Sequence, residues 1–540
     1  MRLGVISCLT AALVASIFGV VGHADTRDIN GYAAEHFTGE ASASEVRQGW
    51  FDEKAIYLVR LRGRALAFHQ HEPAQRPEGD SEQYQRSGGP LRIDSKTSQE
   101  HLKDLDTERQ EALSQASSHI GRPIKPAHIY RLANNGFAAE MTPAEAEAIA
   151  RLPHVSAVHR DYVLELHGDA GPEWIGSPGI WEGTAVPDGL QSRGEGVVFG
   201  IIDTGIAPDN PSFQATDIDD EHGHEHENPL GQGEYLGACA EGGSHEGYCN
   251  DKLIGMYGYD SLGGNPVDTD GHGSHVAGIT AGNHVELTVS GDSVTIKGVA
   301  PRGNIISYNA CCTGSALAAA MEDVLANYNA LNAGSSDVPM VVNYSIGAPI
   351  QLDPWQRFDG QGFLAIREAG IFVASAAGNA GPGEATIGTP AVSPWLASVA
   401  ASTHDRVLDA DGIISDSSAA DYLTGFSSRG PVRSVPGVVG PVLTAPGSNI
   451  IAPVASSDGE PGFGIQSGTS MASPHVAGAA GLLSVVQPNW TPAEIQSALM
   501  LTAHRKLHDF DEESATIFGM GAGRIDLERA ARTGFVLDED

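Results

Sequence analysis

Residues 197–202 read Val-Val-Phe-Gly-Ile-Ile, apolar or glycine throughout with no polar alternation, the pattern of a parallel strand covered on both faces. Stretches of the same kind recur at 299–308, 339–344, 371–376 and 395–400. Between them run Ala-rich segments with helical character: 316–328, the residues after His272, 470–486 and 492–503. Strands alternating with helices predict an α/β fold, a mostly parallel central sheet flanked by helices.

Residues 52–166 have another texture, richer in charge and holding most of the lysines. A strand is expected at 55–59, a polar amphipathic helix at 98–118, a second strand around 128–141 and a last one at 155–164. The helix after Met141 carries a full start signal, with Thr142 at the N-cap, Pro143 at the first position and Glu145 placed to close a capping box. Residues 70–89, polar with Pro and Gly, read as a loop. This predicts a small α+β unit ahead of the larger one, joined to it by a Gly/Pro-rich connection over 167–194.

The chain is 540 residues long, enough for several folded units, and 41% hydrophobic content excludes disorder for most of it. The net charge of −36 argues against nucleic acid as a partner, because that field repels phosphate. A short basic start, an apolar run over 4–21 and small residues near Ala24 read as a cleaved secretion signal over 1–24; a membrane anchor is the weaker alternative, since the run is short and interrupted. No later stretch is apolar enough to span a bilayer, so the expected mature protein has no membrane partner and is secreted, extracellular or periplasmic. Without Cys8, four cysteines remain for an oxidising compartment. Cys239 and Cys249 are the natural pair across a Gly-rich loop. Cys311 and Cys312 can close a ring, stay free or bridge to the other two, and none of the four has zinc-site spacing.

Three segments carry the chemistry. Ile201-Ile202-Asp203-Thr204-Gly205 ends a buried strand on a carboxylate, Asp270-Gly271-His272-Gly273-Ser274-His275 opens a small-residue helix on an imidazole, and Gly468-Thr469-Ser470-Met471-Ala472-Ser473-Pro474-His475 opens another on a hydroxyl. A serine hydroxyl is a weak nucleophile until an imidazole takes its proton, and that imidazole needs a carboxylate on its other nitrogen. Each residue alone has a bland reading as a turn former or N-cap. Together, in the order Asp, His, Ser, they match the subtilisin type of triad.

On these segments the chain resembles the subtilisin-like serine peptidases, the subtilase family, from about 168 to 532. The resemblance implies Asp203 as orienter, His272 as general base and Ser470 as nucleophile. Ala376-Ala377-Gly378-Asn379-Ala380-Gly381-Pro382 resembles the family's oxyanion-hole loop, implying donors from Asn379 and the Ser470 amide. Ser345-Ile346-Gly347 is similar to its substrate-pairing strand, and Gly314, in Cys311-Cys312-Thr313-Gly314-Ser315, stands in a shortened second one. Gly388, in Ile387-Gly388-Thr389-Pro390, would lie at the base of a roomy uncharged pocket selecting large apolar or aromatic residues before the cleaved bond. The interval from Asn379 to Ser470 is too short for the inserted domain of larger subtilases.

The resemblance gives the first unit the meaning of an inhibitor-type propeptide, an intramolecular partner removed by the enzyme itself near 164–169. The expected layout is a signal at 1–24, a propeptide at 25–167 with its inhibitor-like domain at about 52–166, and the peptidase at 168–540. The implied function is secreted endopeptidase action on proteins and peptides, at neutral to alkaline pH because an ordinary imidazole titrates near ~6.5. The chemistry needs no cofactor. Structural calcium is common in the family; Asp217, Asp219, Asp220 and Glu221 offer oxygens, without the order of an EF-hand loop. Two rival readings are weaker: a non-catalytic binder of the same shape, which has no chemical reason to keep all four groups, and the acid-acting relatives with a Ser-Glu-Asp site, which lack the histidine.

Overall fold

The computed structural model describes residues 54–67, 93, 95–160, 165–166, 171–218, 223–259, 263–289, 292–333, 337–408, 414–416, 420–457, 460–509 and 514–537. The signal expected at 1–24, the loop at 70–89 and most of 161–170 lie outside these residues.

The first described unit is a four-stranded antiparallel sheet with two helices. Its elements are β1 (Ala55–Leu61), α1 (Lys96–Ile120), β2 (Pro126–Tyr130), β3 (Gly136–Met141), α2 (Pro143–Ala150) and β4 (Val155–Arg160), with sheet order β2-β3-β1-β4. The capping box at α2 forms, the Thr142 hydroxyl accepting from the Glu145 amide and the Glu145 carboxylate from the Thr142 amide. The single strand expected over 128–141 is instead the hairpin β2–β3, because residues 131–135 turn away to meet the second unit. One face of the sheet packs its own helices through Val59, Phe137, Ala112 and Ile149.

The second unit is built on eight parallel strands. In chain order its elements include β6 (Val198–Asp203), β7 (Leu236–Gly237), β8 (Leu253–Gly258), α3 (His272–Ala281), β9 (Asn304–Asn309), α4 (Gly314–Leu331), β10 (Met340–Tyr344), β11 (Ile346–Gly347), α5 (Phe358–Glu368), β12 (Phe372–Ala376), β13 (Ala397–Ser402) and β14 (Leu443–Pro446). A hairpin of β15 (Ile450–Ser457) and β16 (Glu460–Gln466) leads into α6 (Thr469–Val486) and α7 (Pro492–Thr502). The sheet order is β14-β13-β12-β10-β6-β9-β8-β7, with every neighbouring pair parallel. The unbroken apolar runs are strands, as their lack of alternation requires: β6, β10, β12 and β13 are buried at every position. Residues 299–303 form a turn, so the strand expected from 299 starts at Asn304.

The two units share core. Leu66 and Leu132 pack with Ala316 and Ala320 of α4, and Tyr130 sets its ring edge-on to Phe358, centroids 5.4 Å apart. Glu322 of α4 accepts four backbone amides from the β2–β3 turn: Arg131 at 2.9 Å, Leu132 at 2.7 Å, Ala133 at 2.8 Å and Asn134 at 3.1 Å. The sulfurs of Cys239 and Cys249 meet across their loop, as do those of the neighbours Cys311 and Cys312. Among the described residues no helix is long and apolar enough to cross a membrane.

Candidate active site

In an open parallel sheet functional groups collect at the carboxyl ends of the strands, and here β6 delivers Asp203 there, between Asn309 of β9 and the end of β10. Asp203 is fully buried. Its Oδ1 accepts from the Thr204 amide at 2.8 Å and faces His272 Nδ1 at 2.7 Å. An imidazole that donates from Nδ1 to a carboxylate keeps Nε2 as the basic nitrogen.

His272 is held by its neighbours. Asp268 Oδ1 accepts from the amides of Asp270 (3.0 Å) and Gly271 (2.8 Å) and from the Thr204 hydroxyl (3.0 Å), while Oδ2 accepts from the Ser274 amide (2.8 Å) and hydroxyl (2.6 Å). A buried carboxylate thereby satisfies the orphan amides at the start of α3. The helix also needs glycine at 273, since a Cβ there would lie 2.3 Å from the Gly205 carbonyl oxygen. The second histidine of the segment, His275, turns away to the Gly464 carbonyl of β16 at 3.1 Å.

Ser470 lies in the first turn of α6, which packs against α3 and against β10, β12 and β13. It is buried, and its hydroxyl donates to the Ser345 carbonyl at 2.7 Å. Asn379, after β12, accepts from the Thr469 amide and hydroxyl through Oδ1, both at 2.9 Å. That leaves its Nδ2 as the end available to a ligand. Asn379 lines a cleft whose other walls are small and uncharged, among them Gly347, Ala377, Gly388 and Thr389.

Ile346 and Gly347 form β11, and the two-residue strand β5 (Glu165–Leu166) runs antiparallel to it, Leu166 opposite Ile346 and Glu165 opposite Gly347. The chain just after the first unit thus sits on the edge singled out for peptide pairing. Gly388 lies in the cleft wall. A Cβ there would stand 2.4 Å from the Ala348 carbonyl, so its bareness also permits the backbone pairing of Ala348 with Thr389 (2.9 and 3.0 Å). The second pairing strand expected over 311–315 is not a strand: Thr313 caps α4 and Gly314 is the buried first residue of that helix.

Of the cation ligands considered from sequence, Asp217 alone lies among the described residues. Asp217 is buried and its carboxylate is engaged by His284, whose amide donates at 2.7 Å and whose Nδ1 lies at 3.0 Å. That residue does not fit a loop ligand for calcium. Asp219, Asp220 and Glu221 lie outside the described residues, and among the described ones no group of three or more His, Cys, Asp or Glu could hold a metal. Sequence reasoning gave no role to Asp268 and Glu322, which carry no signal beyond their residue type, nor to Asn343 and Ser473, which lie inside recognised segments but beside the residues that drew attention.

A buried carboxylate–imidazole pair and a helix-start serine at the carboxyl edge of a parallel sheet are the kinds of group that serine-hydrolase chemistry requires. Residues 194–521 match the profile of the subtilase family (peptidase S8), and residues 70–167 that of peptidase inhibitor I9. Among similar proteins are three from Arabidopsis thaliana. Subtilisin-like protease SBT1.6 is 27% identical across 78% of this chain and 74% of its own length. Subtilisin-like protease SBT1.5 is 24% identical (79% and 74%), and SBT1.7 is 26% identical (76% and 73%). The chain belongs to the subtilase family of subtilisin-like serine proteases, peptide hydrolases, and an I9 inhibitor-type domain precedes its protease domain.

Proposed function

We propose that this protein is a secreted endopeptidase in which Ser470 is the nucleophile, His272 the general base and Asp203 the group that orients it. The observation that carries the reading is the 2.7 Å contact between His272 Nδ1 and the buried Asp203, beside the helix that carries Ser470 in its first turn. Asp203 holds the imidazole in the tautomer whose Nε2 accepts the Ser470 proton, and the hydroxyl oxygen attacks the peptide carbonyl to form an acyl-enzyme that water releases. Asn379 Nδ2 and the Ser470 amide donate to the oxygen that becomes negative. Loss of one such donor costs about a hundred- to a thousandfold in kcat.

A substrate adds an antiparallel strand to Ile346–Gly347, a mode that reads backbone more than side chain. The uncharged cleft beside Asn379 suits an apolar or aromatic residue ahead of the cleaved bond. The chemistry is carried by side chains and requires no cofactor.

The propeptide ends at the same edge, which supports maturation by self-cleavage. Glu165 and Leu166 pair with Gly347 and Ile346, the latter next to Ser345, whose carbonyl meets the Ser470 hydroxyl. Cleavage is therefore expected near 164–169, between a propeptide at 25–167 and a peptidase at 168–540. The sulfur pairs at Cys239–Cys249 and Cys311–Cys312 fit disulfides formed outside the cytoplasm.

The test is mass spectrometry of the secreted wild type beside Ser470→Ala, with casein hydrolysis before and after a serine-directed phosphonyl fluoride. Wild type should lose the segment ending near residue 168 and digest casein until inhibited, with the variant intact and inert. If both stay intact and inactive, even after an added protease removes the propeptide, the chain is a binding protein and the catalytic reading fails.

A further inference from the structure

Ser345 belongs to the substrate-pairing segment through its backbone, but its side chain faces the other way. In a regular helix the Ser470 carbonyl would accept the amide of residue 474. Pro474 has no N–H to give. A buried carbonyl left without a donor is costly, and Ser345 Oγ supplies one at 2.7 Å. Ser345 Oγ in turn accepts from Asn343 Nδ2 at 2.9 Å, and Asn343 Oδ1 accepts from the Ser473 hydroxyl at 2.7 Å. The return contact is the Ser470 hydroxyl on the Ser345 carbonyl. All four residues are fully buried.

We propose that Asn343, Ser345 and Ser473 form a positioning chain for Ser470, which ties down its carbonyl and parks its hydroxyl until a substrate engages Ser345. The inference rests on the reading of Ser470 as nucleophile. The donors in the chain are used one by one, so no hydroxyl is left to rotate. Asn343 is held at both ends of its amide, and this fixes the acceptor side that Ser473 meets. The backbone is fastened on either side of the nucleophile, at the Thr469 amide by Asn379 and at the Ser470 carbonyl by Ser345. Nucleophile placement governs the chemical step, and an error of ~1 Å costs about a hundredfold. The side chains of Asn343, Ser345 and Ser473 touch no substrate, so their loss should appear in kcat and not in KM.

The test uses the full-length secreted chain. Ser345→Ala keeps the Ser345 carbonyl and deletes the hydroxyl, both its donation to Ser470 and its acceptance from Asn343. It should lower kcat by about tenfold to a hundredfold with KM within about threefold of wild type. The rates of self-cleavage and of phosphonyl fluoride labelling should fall in parallel. Ser345→Thr retains the donor and should recover most of the loss. Ser473→Ala leaves the Ser345–Ser470 contacts in place and should give a smaller fall in kcat. Wild-type kcat and labelling rate in Ser345→Ala, whatever its melting temperature, would overturn the proposal. If Ser345→Ala does not fold, Ser473→Ala decides: lower kcat at constant KM supports the chain and wild-type kcat removes it. An inert, unlabelled Ser470→Ala beside a normal Ser345→Ala refutes this inference alone, whereas an active Ser470→Ala refutes the nucleophile assignment.

Discussion

Asp268 and Ser274 are joined twice, the carboxylate taking both the amide and the hydroxyl of the serine through one oxygen, at 2.8 and 2.6 Å. The other oxygen holds Thr204 and the two residues before His272, so one side chain links the turn after Asp203 to the helix that carries the imidazole. Asp268→Asn must place an NH2 group against two or more of these donors. Each buried donor left unmatched costs roughly 1–3 kcal/mol. The variant is expected to melt several degrees lower and to lose at least about tenfold in kcat/KM, read by calorimetry and peptide hydrolysis on the same preparation.

Acid should unfold the protein through histidines that play no part in the chemistry. Burial holds His475, His275 and His226 each down at about 3, against an ordinary value near 6.5. His475 is tied at both ring nitrogens, donating from Nδ1 to the Met471 carbonyl and accepting the Gly171 amide at Nε2. The unfolded chain takes up these protons below pH ~6.5 while the folded protein does not, so stability falls as pH drops from there toward 3. The loss is on the order of a few kcal/mol per histidine. Melting curves from pH 8 to 4 should fall steeply below pH 6, and His475→Gln should flatten the slope. An unchanged slope in that variant would remove His475 from the account.

Propeptide docking should respond to pH with the opposite sign from simple acid release. Burial raises the Glu322 carboxyl to about 6 even though four backbone amides oppose the shift. With the propeptide gone the group lies on the surface of α4 and returns toward the ordinary carboxylate value. The docked state therefore binds the proton more tightly, and docking strengthens as pH falls through 6. The cleaved complex is expected to retain its propeptide on size exclusion at pH 5 and to shed it more readily at pH 8, with affinities about tenfold apart. Glu322→Ala, which strands four amides, should weaken retention at both pH values and erase the difference.

Gly388 distinguishes a pocket floor from a packing requirement. If the glycine served only to make room, Gly388→Ala would penalise large residues ahead of the cleaved bond and spare small ones. The 2.4 Å approach to the Ala348 carbonyl predicts another outcome. Hydrolysis of alanyl and phenylalanyl substrates should fall together, by about tenfold or more, because the Ala348–Thr389 pairing and the cleft wall move as one.

Much of the site could be read in the chain because it is written in contiguous strings. Asp203, His272, Ser470 and Asn379 each sit in a short segment whose local conformation, strand end or helix start, is set by its own residues. The parallel sheet was legible for a related reason, since a strand buried on both faces is largely apolar without alternation. The hairpin β15–β16 and the helix α5 were not read, as their glycines and mixed polarity resemble loop in the absence of the neighbours they cover.

What only the tertiary structure decided is who meets whom across long stretches of chain. Thr204 and Asp268 are 64 residues apart, Ser345 and Ser470 are 125 apart, and Glu322 reaches back 190 residues to Leu132. A lone serine, asparagine or carboxylate has no signature in sequence, because its role comes from the one donor or acceptor that folding sets within about 3 Å. The amino-acid order thus specified the reactive groups and the sheet that presents them. Burial, which makes every unpaired polar atom costly, selected the partners that hold those groups in place.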